Sequence, residues 1–436
     1  MQRLDIEYDI DEIKRLLSID SLKRNKNLEV IMRFLSNLEN QMVLNLDDDW
    51  GTGKSVFLKQ LGYLGNANEL NENILNINTG VINSFQSKYN VFYFNAWEHD
   101  LYDNPLESLI YSLLMKIVEI ENGKKIQEQT VKKISKILRK IGILSVNAMI
   151  KTITNGSVEL ADFHHEDTDP VQEITSIEMK RNAINELLDE LLKNSDKKLL
   201  IIVDELDRCK PSYAVRLLEV IKHFFVNDDI VFLFGSNKKE LSETVRHEYG
   251  QEFNGYKYLN RFFDFEFMLP KIKESDYISL RLGSPETSSF SYKESLAVCQ
   301  YFNFSMRDIN KYCTLCNVLT HYFKTNDDFY EKKLVIKYLL LLYAIGSRID
   351  DINRFNRFLS GDGLDELIQF YESNQQFHDR IILRNMNQET IALEELKKIY
   401  KLINMDEDEQ IISFDRDDVQ AIKEMIDILT MMSNKI

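Results

Sequence analysis

The residues best suited to chemistry stand in one short segment, Asp48–Ser55, which reads Asp-Asp-Trp-Gly-Thr-Gly-Lys-Ser. This segment fits the phosphate-loop (Walker A) pattern G-x-x-x-x-G-K-[ST] at every defined position except the first, where Asp48 replaces glycine. In such a loop, backbone N–H groups bind phosphate oxygens. Lys54 would reach the β- and γ-phosphates, and the Ser55 hydroxyl would bind Mg²⁺. The segment predicts a nucleotide site, and an ordinary glycine turn before a helix is the alternative.

The residues around this loop form the elements that it requires. The apolar run Met42–Leu46 precedes it and is short enough for a buried strand, while Val56–Leu61 is typical of the first turns of a helix. A strand, a glycine loop and a helix in this order are the expected context of a phosphate loop. The predicted nucleotide-contacting residues are Asp49, Trp50, Gly51, Thr52, Gly53, Lys54, Ser55 and Val56.

A second candidate for phosphate chemistry ends the apolar run Leu199–Asp204. Parallel sheets bind ligands at the carboxyl ends of their strands, which is where Asp204 and Glu205 would lie. Asp204 would hold Mg²⁺ through water, and Glu205 would polarise the attacking water. By itself, an acidic pair after an apolar run more often marks the point where a strand reaches solvent. Its occurrence together with the glycine loop favours the functional interpretation.

Five short apolar runs would position these residues. The third and fourth are continuously apolar, as strands buried on both faces are, and helical segments such as Ile177–Asn194 and Val215–Phe225 separate them. The pattern predicts an α/β fold: a P-loop NTPase core with a five-stranded, mainly parallel sheet flanked by helices, plus an all-helical C-terminal domain. The predicted strands are Gln41–Leu46, Val91–Trp97, Leu199–Asp204, Ile230–Ser236 and Phe262–Leu269.

These elements divide the chain into three predicted regions. An N-terminal helical segment covers residues 1–40, the nucleotide-binding core covers 41–270, and a helical lid or partner-binding domain covers 271–436. A helical insertion at about 123–168 interrupts the core and carries a basic run at 132–140. We expect a soluble amphipathic element there, and a membrane-surface contact through 132–153 is the alternative.

Composition excludes several classes of protein. The net charge of −16 disfavours non-specific binding to nucleic acid, which needs clustered Lys and Arg. No signal peptide opens the chain, and its longest apolar runs are too short to span a bilayer. We therefore expect a soluble, cytoplasmic protein.

Cysteine and histidine offer only weak metal-site candidates. Cys313 and Cys316 lie in a predicted helix without a second ligand pair, so helix packing is favoured over a zinc site. His164 and His165 stand next to Glu166 and Asp167, and a polar loop is favoured over a metal site there.

Several separated segments resemble one family, the KAP P-loop NTPases. The loop around Trp50 is similar to the family's Gly-Glu-Trp-Gly-Ser-Gly-Lys-Ser, and Asp-Glu-Leu-Asp-Arg-Cys is similar to its Asp-Asp-Leu-Asp-Arg-Cys. Asp48 departs from the family loop, and the insertion lacks the transmembrane helices that many members carry. The segments that carry the resemblance are Trp50–Ser55, Phe94–Trp97, Asp204–Cys209, Tyr258–Phe263 and Ser305–Ile309.

The resemblance implies an ATPase that hydrolyses ATP with Mg²⁺ and drives conformational change in, or assembly with, a protein partner or a second copy of itself. In bacteria such proteins can contribute to phage exclusion. A non-hydrolysing nucleotide sensor or scaffold on the same fold is the second hypothesis. A GTPase is a third and weaker one, since Asn237–Glu240 only approximates the guanine motif Asn-Lys-x-Asp.

Four further residues are candidates for a catalytic role. Asn237, at the tip of the fourth strand, would position the attacking water or would be a turn residue. An arginine that reaches the γ-phosphate from a neighbouring subunit raises rates in related enzymes. Arg208, Arg261 and Arg307 are rival candidates for that contact, and Arg208 has a local salt bridge with Glu205 or Asp207 as its alternative.

Asp48 raises the question of what a carboxylate does at the mouth of a phosphate loop. At an effective dielectric constant of ~20, two like charges about 5 Å apart repel by roughly 3 kcal/mol, which weakens binding a hundredfold or more. An outward orientation would avoid this cost, and Asp tolerates the left-handed backbone region. Either the site binds and hydrolyses slowly, or it binds poorly and the fold is a scaffold.

Overall fold

The structure is a computed structural model that describes residues 10–20, 22–67, 77–120, 128–143, 145–154, 170–192, 196–282, 291–320, 333–374, 389–404 and 416–431. The chain divides into two compact units, one spanning Tyr8–Pro270 and the other containing Lys271–Ile436. The first unit is built on a parallel sheet, whereas the described part of the second is helical.

The sheet of the first unit has five strands, all parallel, in the order β2-β3-β4-β1-β5. This confirms the predicted fold class. Strands β3 and β4 lie at the centre, and nearly every residue in them is buried, which explains their continuous apolar character. The strands are β1 (Met42–Asp47), β2 (Tyr89–Asn95), β3 (Lys198–Asp204), β4 (Ile230–Ser236) and β5 (Phe265–Met268).

Helices cover both faces of this sheet. Because successive strand residues point to opposite faces, Phe232 and Phe234 join one core cluster while Val231 and Leu233 join the other. The helices of this unit are α1 (Ile10–Ile19), α2 (Asn25–Ser36), α3 (Lys54–Asn66), α4 (Thr79–Lys88), α5 (Pro105–Ile120), α6 (Glu128–Ile141), α7 (Val146–Ile153), α8 (Pro170–Leu192), α9 (Pro211–Phe224), α10 (Lys238–Tyr249) and α11 (Gly255–Leu259).

Two strands are shorter at one end than predicted. Strand β2 ends at Asn95 rather than Trp97, because the chain turns into a short 3₁₀ helix at Trp97–His99. Strand β5 begins at Phe265, since the N–H groups of Phe262 and Phe263 are bonded to the end of α11, at the Leu259 carbonyl, 2.9 and 3.0 Å away. Both phenylalanines are still buried in the core, which is why they resembled strand residues.

The predicted insertion contains helices α6 and α7. The apolar side chains of α6, among them Ile134 and Leu138, are buried in the core of the first unit. On its basic side, Lys140 pairs with Glu186 of α8 at 2.9 Å. The apolar face that a membrane-surface helix would need free is therefore covered by protein.

The second unit is described as eight helices. The four cysteines of the chain are buried free thiols, and Cys313 and Cys316 lie in α14. Among the described helices, none is both long and apolar enough to cross a membrane. The candidate metal-site residues His164–Asp167 fall outside the described residues. The helices are α12 (Glu274–Leu282), α13 (Ser291–Tyr301), α14 (Met306–Thr320), α15 (Lys333–Asp350), α16 (Ile352–Ser360), α17 (Leu364–Ser373), α18 (Glu389–Asn404) and α19 (Arg416–Met431).

Candidate functional site

The loop Asp48–Gly53 connects the carboxyl end of β1 to the first turn of α3. Gly51 and Gly53 have φ angles of 78° and 88°, in the left-handed region that favours glycine. Gly53 is also the N-cap of α3, so the loop delivers the positive end of a helix to the site. The predicted strand–loop–helix arrangement is thus present, with both glycines at the positions that need them.

Lys54 is folded back onto the loop. Its ammonium group donates to the carbonyls of Asp48 at 2.5 Å and Asp49 at 2.8 Å, and the residue is only 8% exposed. Burial lowers the pKa of Lys54, while nearby carboxylates, first that of Asp207, raise it. An anion would bind this ammonium group more strongly than the two neutral carbonyls do, so Lys54 can exchange these carbonyls for an anionic partner.

Asp204 lies at the carboxyl end of β3, buried and surrounded by donors. Its Oδ2 accepts from the Tyr93 hydroxyl at 2.7 Å, its Oδ1 accepts from the Glu205 N–H at 2.9 Å, and the Ser55 hydroxyl also bonds to it. Burial raises the pKa of Asp204, and these hydrogen bonds lower it. A Cβ atom at Gly235 on β4 would lie 2.7 Å from Oδ1, so glycine there leaves room for the carboxylate. The structure therefore brings Ser55 and Asp204, the two predicted metal ligands, into contact.

Glu205 follows directly and has a φ of 60°, unusual for a residue with a side chain. Its carboxylate pairs with the Arg208 guanidinium at 3.0 Å and accepts a hydrogen bond from Asn95 of β2. Burial raises the pKa of Glu205, and Arg208 lowers it. The predicted alternative for Arg208, a local salt bridge with Glu205, is the arrangement observed.

The chain has two tryptophans, and both lie beside this site. Trp50 in the loop donates its indole N–H to the Asp207 carboxylate at 2.5 Å. The ring of Trp97 lies under the Arg208 guanidinium, 5.4 Å from ring centroid to guanidinium carbon. Each tryptophan is 45% exposed, so both would report on a ligand that enters the site.

Asn237 is the N-cap of α10, and its Oδ1 accepts from the N–H groups of Lys239 and Glu240 at 3.1 and 3.3 Å. Its amide nitrogen donates to the Asp49 carboxylate in the loop at 3.4 Å. The capping role is structural, as the turn interpretation expected. The contact with Asp49 nevertheless places this side chain beside the loop.

The other two candidate arginines belong to other elements of the chain. Arg261 lies between α11 and β5, with its side chain exposed. Arg307 lies in α14, in the second unit. Within the first unit, Arg208 is the predicted arginine that contacts a candidate catalytic residue, Glu205.

Asp48 keeps its carboxylate within the loop. Its Oδ1 accepts from the N–H of Asp49 at 2.9 Å, and its own N–H donates to the Ser236 carbonyl of β4 at 3.4 Å. The first residue of the loop thus extends the pairing of β1 with β4 by one residue. Its side chain satisfies a loop donor, which a glycine could not do.

Two residues of the site were missed in the sequence. Tyr93 has a signal that would have revealed it, because it lies two residues before Asn95 in β2 and therefore on the same face of the sheet. Arg24, which donates to the Thr52 carbonyl of the loop at 2.8 Å, belongs to no recognisable pattern.

Comparison with known proteins agrees with this geometry. A family model described as the KAP family P-loop domain matches residues 24–323, more than half of the chain. An uncharacterized protein from Methanocaldococcus jannaschii is 28% identical over 165 residues, which is 30% of this chain and 82% of that protein.

Proposed function

This chain belongs to the KAP family of P-loop NTPases, and we propose that it binds ATP with Mg²⁺ and hydrolyses it to ADP and phosphate. The observation that carries the proposal is the contact between the Ser55 hydroxyl and the buried Asp204 carboxylate, one residue from Lys54. Two oxygen ligands and an ammonium group at the end of one parallel sheet are the parts that phosphoryl transfer uses.

The residues present suit Mg²⁺. Mg²⁺ prefers oxygen ligands, keeps several waters, and is usually bound by one or two protein groups together with substrate phosphates. Ser55 and Asp204 would hold it here, and when bound it would neutralise charge on the phosphate oxygens. Among the residues that the structure describes, no group of three or more His, Cys, Asp and Glu residues could hold a metal ion without further ligands.

In this proposal each side chain has one task. Lys54 would leave the carbonyls of Asp48 and Asp49 and bind phosphate oxygens, and loop N–H groups would bind others. Glu205 would orient the attacking water and accept its proton. Because Glu205 is paired with Arg208 at 3.0 Å, that pair has to loosen before the carboxylate can take up this role.

The surroundings of Lys238 support ATP rather than GTP. In the guanine motif that Asn237–Glu240 approximates, the lysine has to be free to lie along the base. Here Lys238 is buried, with its ammonium group bonded to Asn260 and to Glu266 and lying 4.4 Å from the centroid of the Tyr256 ring. These contacts use its donors, so this lysine supports no guanine site.

A non-hydrolysing nucleotide sensor is the second candidate. Asp48 adds a negative charge to the loop, and Glu205 is held by both Arg208 and Asn95. The pairing of Glu205 would slow turnover while leaving a bound nucleotide in place, which supports a slow ATPase at one extreme and a sensor at the other. The charge of Asp48 would instead weaken nucleotide binding.

We further propose that nucleotide turnover drives conformational change in a cytoplasmic partner or assembly with a second copy, and that a bacterial host would use it in anti-phage defence. The family resemblance is the support for these roles. An arginine from a second copy, Arg261 or Arg307, would then complete the site. Measuring oligomer size with and without nucleotide tests this part, which fails if the active species is strictly monomeric.

Phosphate release from MgATP by the full-length chain tests the ATPase proposal. The wild type should release phosphate, whereas Lys54→Ala and Glu205→Gln should not, for loss of binding and of the general base respectively. Equal rates in all three proteins would reject the proposal. Nucleotide binding without release by the wild type would favour the sensor.

A further inference from the structure

Arg24 is a buried arginine behind the phosphate loop. It precedes α2, and the whole residue is only 4% exposed. One guanidinium nitrogen donates to the Thr52 carbonyl at 2.8 Å, and the other terminal nitrogen donates to the Pro270 carbonyl at 3.2 Å. Burying a guanidinium group costs free energy, and the two hydrogen bonds to these carbonyls offset part of that cost.

The bond to Thr52 fixes the direction of the next N–H group. Peptide bonds are planar, none in the described chain is cis, and in a trans peptide the carbonyl and the N–H point in opposite directions. Because the Thr52 carbonyl faces Arg24, the N–H of Gly53 points away from Arg24. Loop N–H groups directed in this way are what bind phosphate oxygens.

Burial lowers the pKa of Arg24 to about 10, and the Asp48 carboxylate raises it. The guanidinium is therefore still charged at neutral pH.

We propose that Arg24 is a positioning residue of the phosphate loop, which holds the Thr52–Gly53 peptide in its phosphate-binding orientation. The ligand in this statement rests on the proposed function, whereas the bonds from Arg24 to the Thr52 and Pro270 carbonyls do not. The contact with Pro270, the last residue of the first unit, adds a second requirement. The two terminal nitrogens of the planar guanidinium bond two carbonyls from distant segments in a fixed geometry, which the single nitrogen of a lysine would not reproduce at this position.

Affinity for MgATP, measured by fluorescence titration of the full-length chain, tests the positioning role. We expect Arg24→Met to weaken binding about tenfold, which corresponds to one charged hydrogen bond. Arg24→Lys should lose less, because it keeps the charge. Arg33→Met is the matched control, since Arg33 lies on α2, which Arg24 precedes, with its side chain 55% exposed and bonded to Glu29. Wild-type affinity in Arg24→Met would overturn the proposal.

Should Arg24→Met fail to fold, Arg24→Lys takes its place, and wild-type affinity in that variant would show that the planar guanidinium is not needed.

Urea unfolding of the chain without nucleotide separates the two proposals. Arg24→Met should lower the free energy of unfolding more than Arg33→Met does, whether or not ATP binds, because it leaves the Thr52 and Pro270 carbonyls without their donor. A wild type that meets this expectation but binds no nucleotide would reject the proposed function alone. Equal MgATP affinity of the wild type and Arg24→Met, in a chain that does bind ATP, would reject the role of Arg24 alone.

Discussion

Two arginines of the first unit contact residues of the candidate site, and they differ in burial. Arg24 is 4% exposed and bonded to the Thr52 and Pro270 carbonyls, whereas the Arg208 side chain is 25% exposed and paired with Glu205 over the ring of Trp97. A buried charge that loses its partners is left without solvation, while an exposed one is solvated by water. On the loop side, formed by Arg24 and Thr52, the contacts should therefore stay fixed. On the strand side, formed by Glu205 and Arg208, the ion pair should open more easily.

The largest expected effect is on the rate of phosphate release, and it separates catalysis on the strand side from nucleotide binding on the loop side. Glu205→Gln should lower the rate of phosphate release about a thousandfold, as loss of a general base does, with MgATP affinity nearly unchanged. Asp48→Asn should change affinity far more than rate, and tighten it, because it removes a negative charge near polyphosphate. Steady-state kinetics with direct binding measurements check both. If Glu205→Gln releases phosphate as fast as the wild type, the strand side has no role in catalysis.

The second prediction compares the two arginines in protein stability. Arg24→Met should lower the free energy of unfolding by about 2–4 kcal/mol, since it leaves the Thr52 and Pro270 carbonyls without their donor. Arg208→Met should cost less than about 1 kcal/mol, because the pair with Glu205 is partly solvated. Urea unfolding with equal m-values provides the measurement. Equal losses would mean that burial does not distinguish the two sides.

A third prediction concerns pH. Burial raises the pKa of Glu205, and Arg208 lowers it. A general base works when it is ionised, so activity should fall as the pH drops through this pKa. Arg208→Gln removes the guanidinium that lowers the pKa of Glu205. The acidic limb of the kcat/KM profile should therefore move to higher pH. An unchanged limb in this variant would mean that Glu205 is not the titrating base.

The smallest expected effect is at Tyr93, whose hydroxyl holds Asp204. Tyr93→Phe should raise the Mg²⁺ concentration needed for half-maximal activity about threefold, as loss of a single hydrogen bond does. Tyr89→Phe is the control, because Tyr89 lies on the same strand and donates to the Leu35 carbonyl at 2.9 Å, away from the site. If both variants respond equally to Mg²⁺, the role of Tyr93 is structural.

The central part of the fold was predictable, and its margins were not. Strand β4 has the predicted bounds Ile230–Ser236, because a strand buried on both faces reads as an unbroken apolar run. At the edge, Phe262 and Phe263 are just as apolar but take up backbone bonds to the end of a helix. Periodicity reports burial, and burial alone does not distinguish a strand from a packed turn.

The candidate site was predictable where its residues follow one another along the chain. Lys54 and Ser55, or Asp204 and Glu205, are brought together by a single turn each, so a short pattern contains the necessary information. Arg24 contacts carbonyls 28 and 246 residues away, at Thr52 and Pro270. Every residue has a main-chain carbonyl, so the residue type does not show which carbonyl will accept a bond. No local pattern can therefore indicate such a contact.

The sequence by itself determined the parallel sheet, the family, and the order of the loop and the acidic strand end, because these depend on local hydrophobic patterns and short motifs. Only the tertiary structure decided which charges face each other. It selected Glu205 over Asp207 as the partner of Arg208, a choice that the sequence had left open. It also placed Arg24 behind the loop, bonded to the Thr52 and Pro270 carbonyls. Electrostatic partners depend on distance and burial, and both are properties of the folded chain.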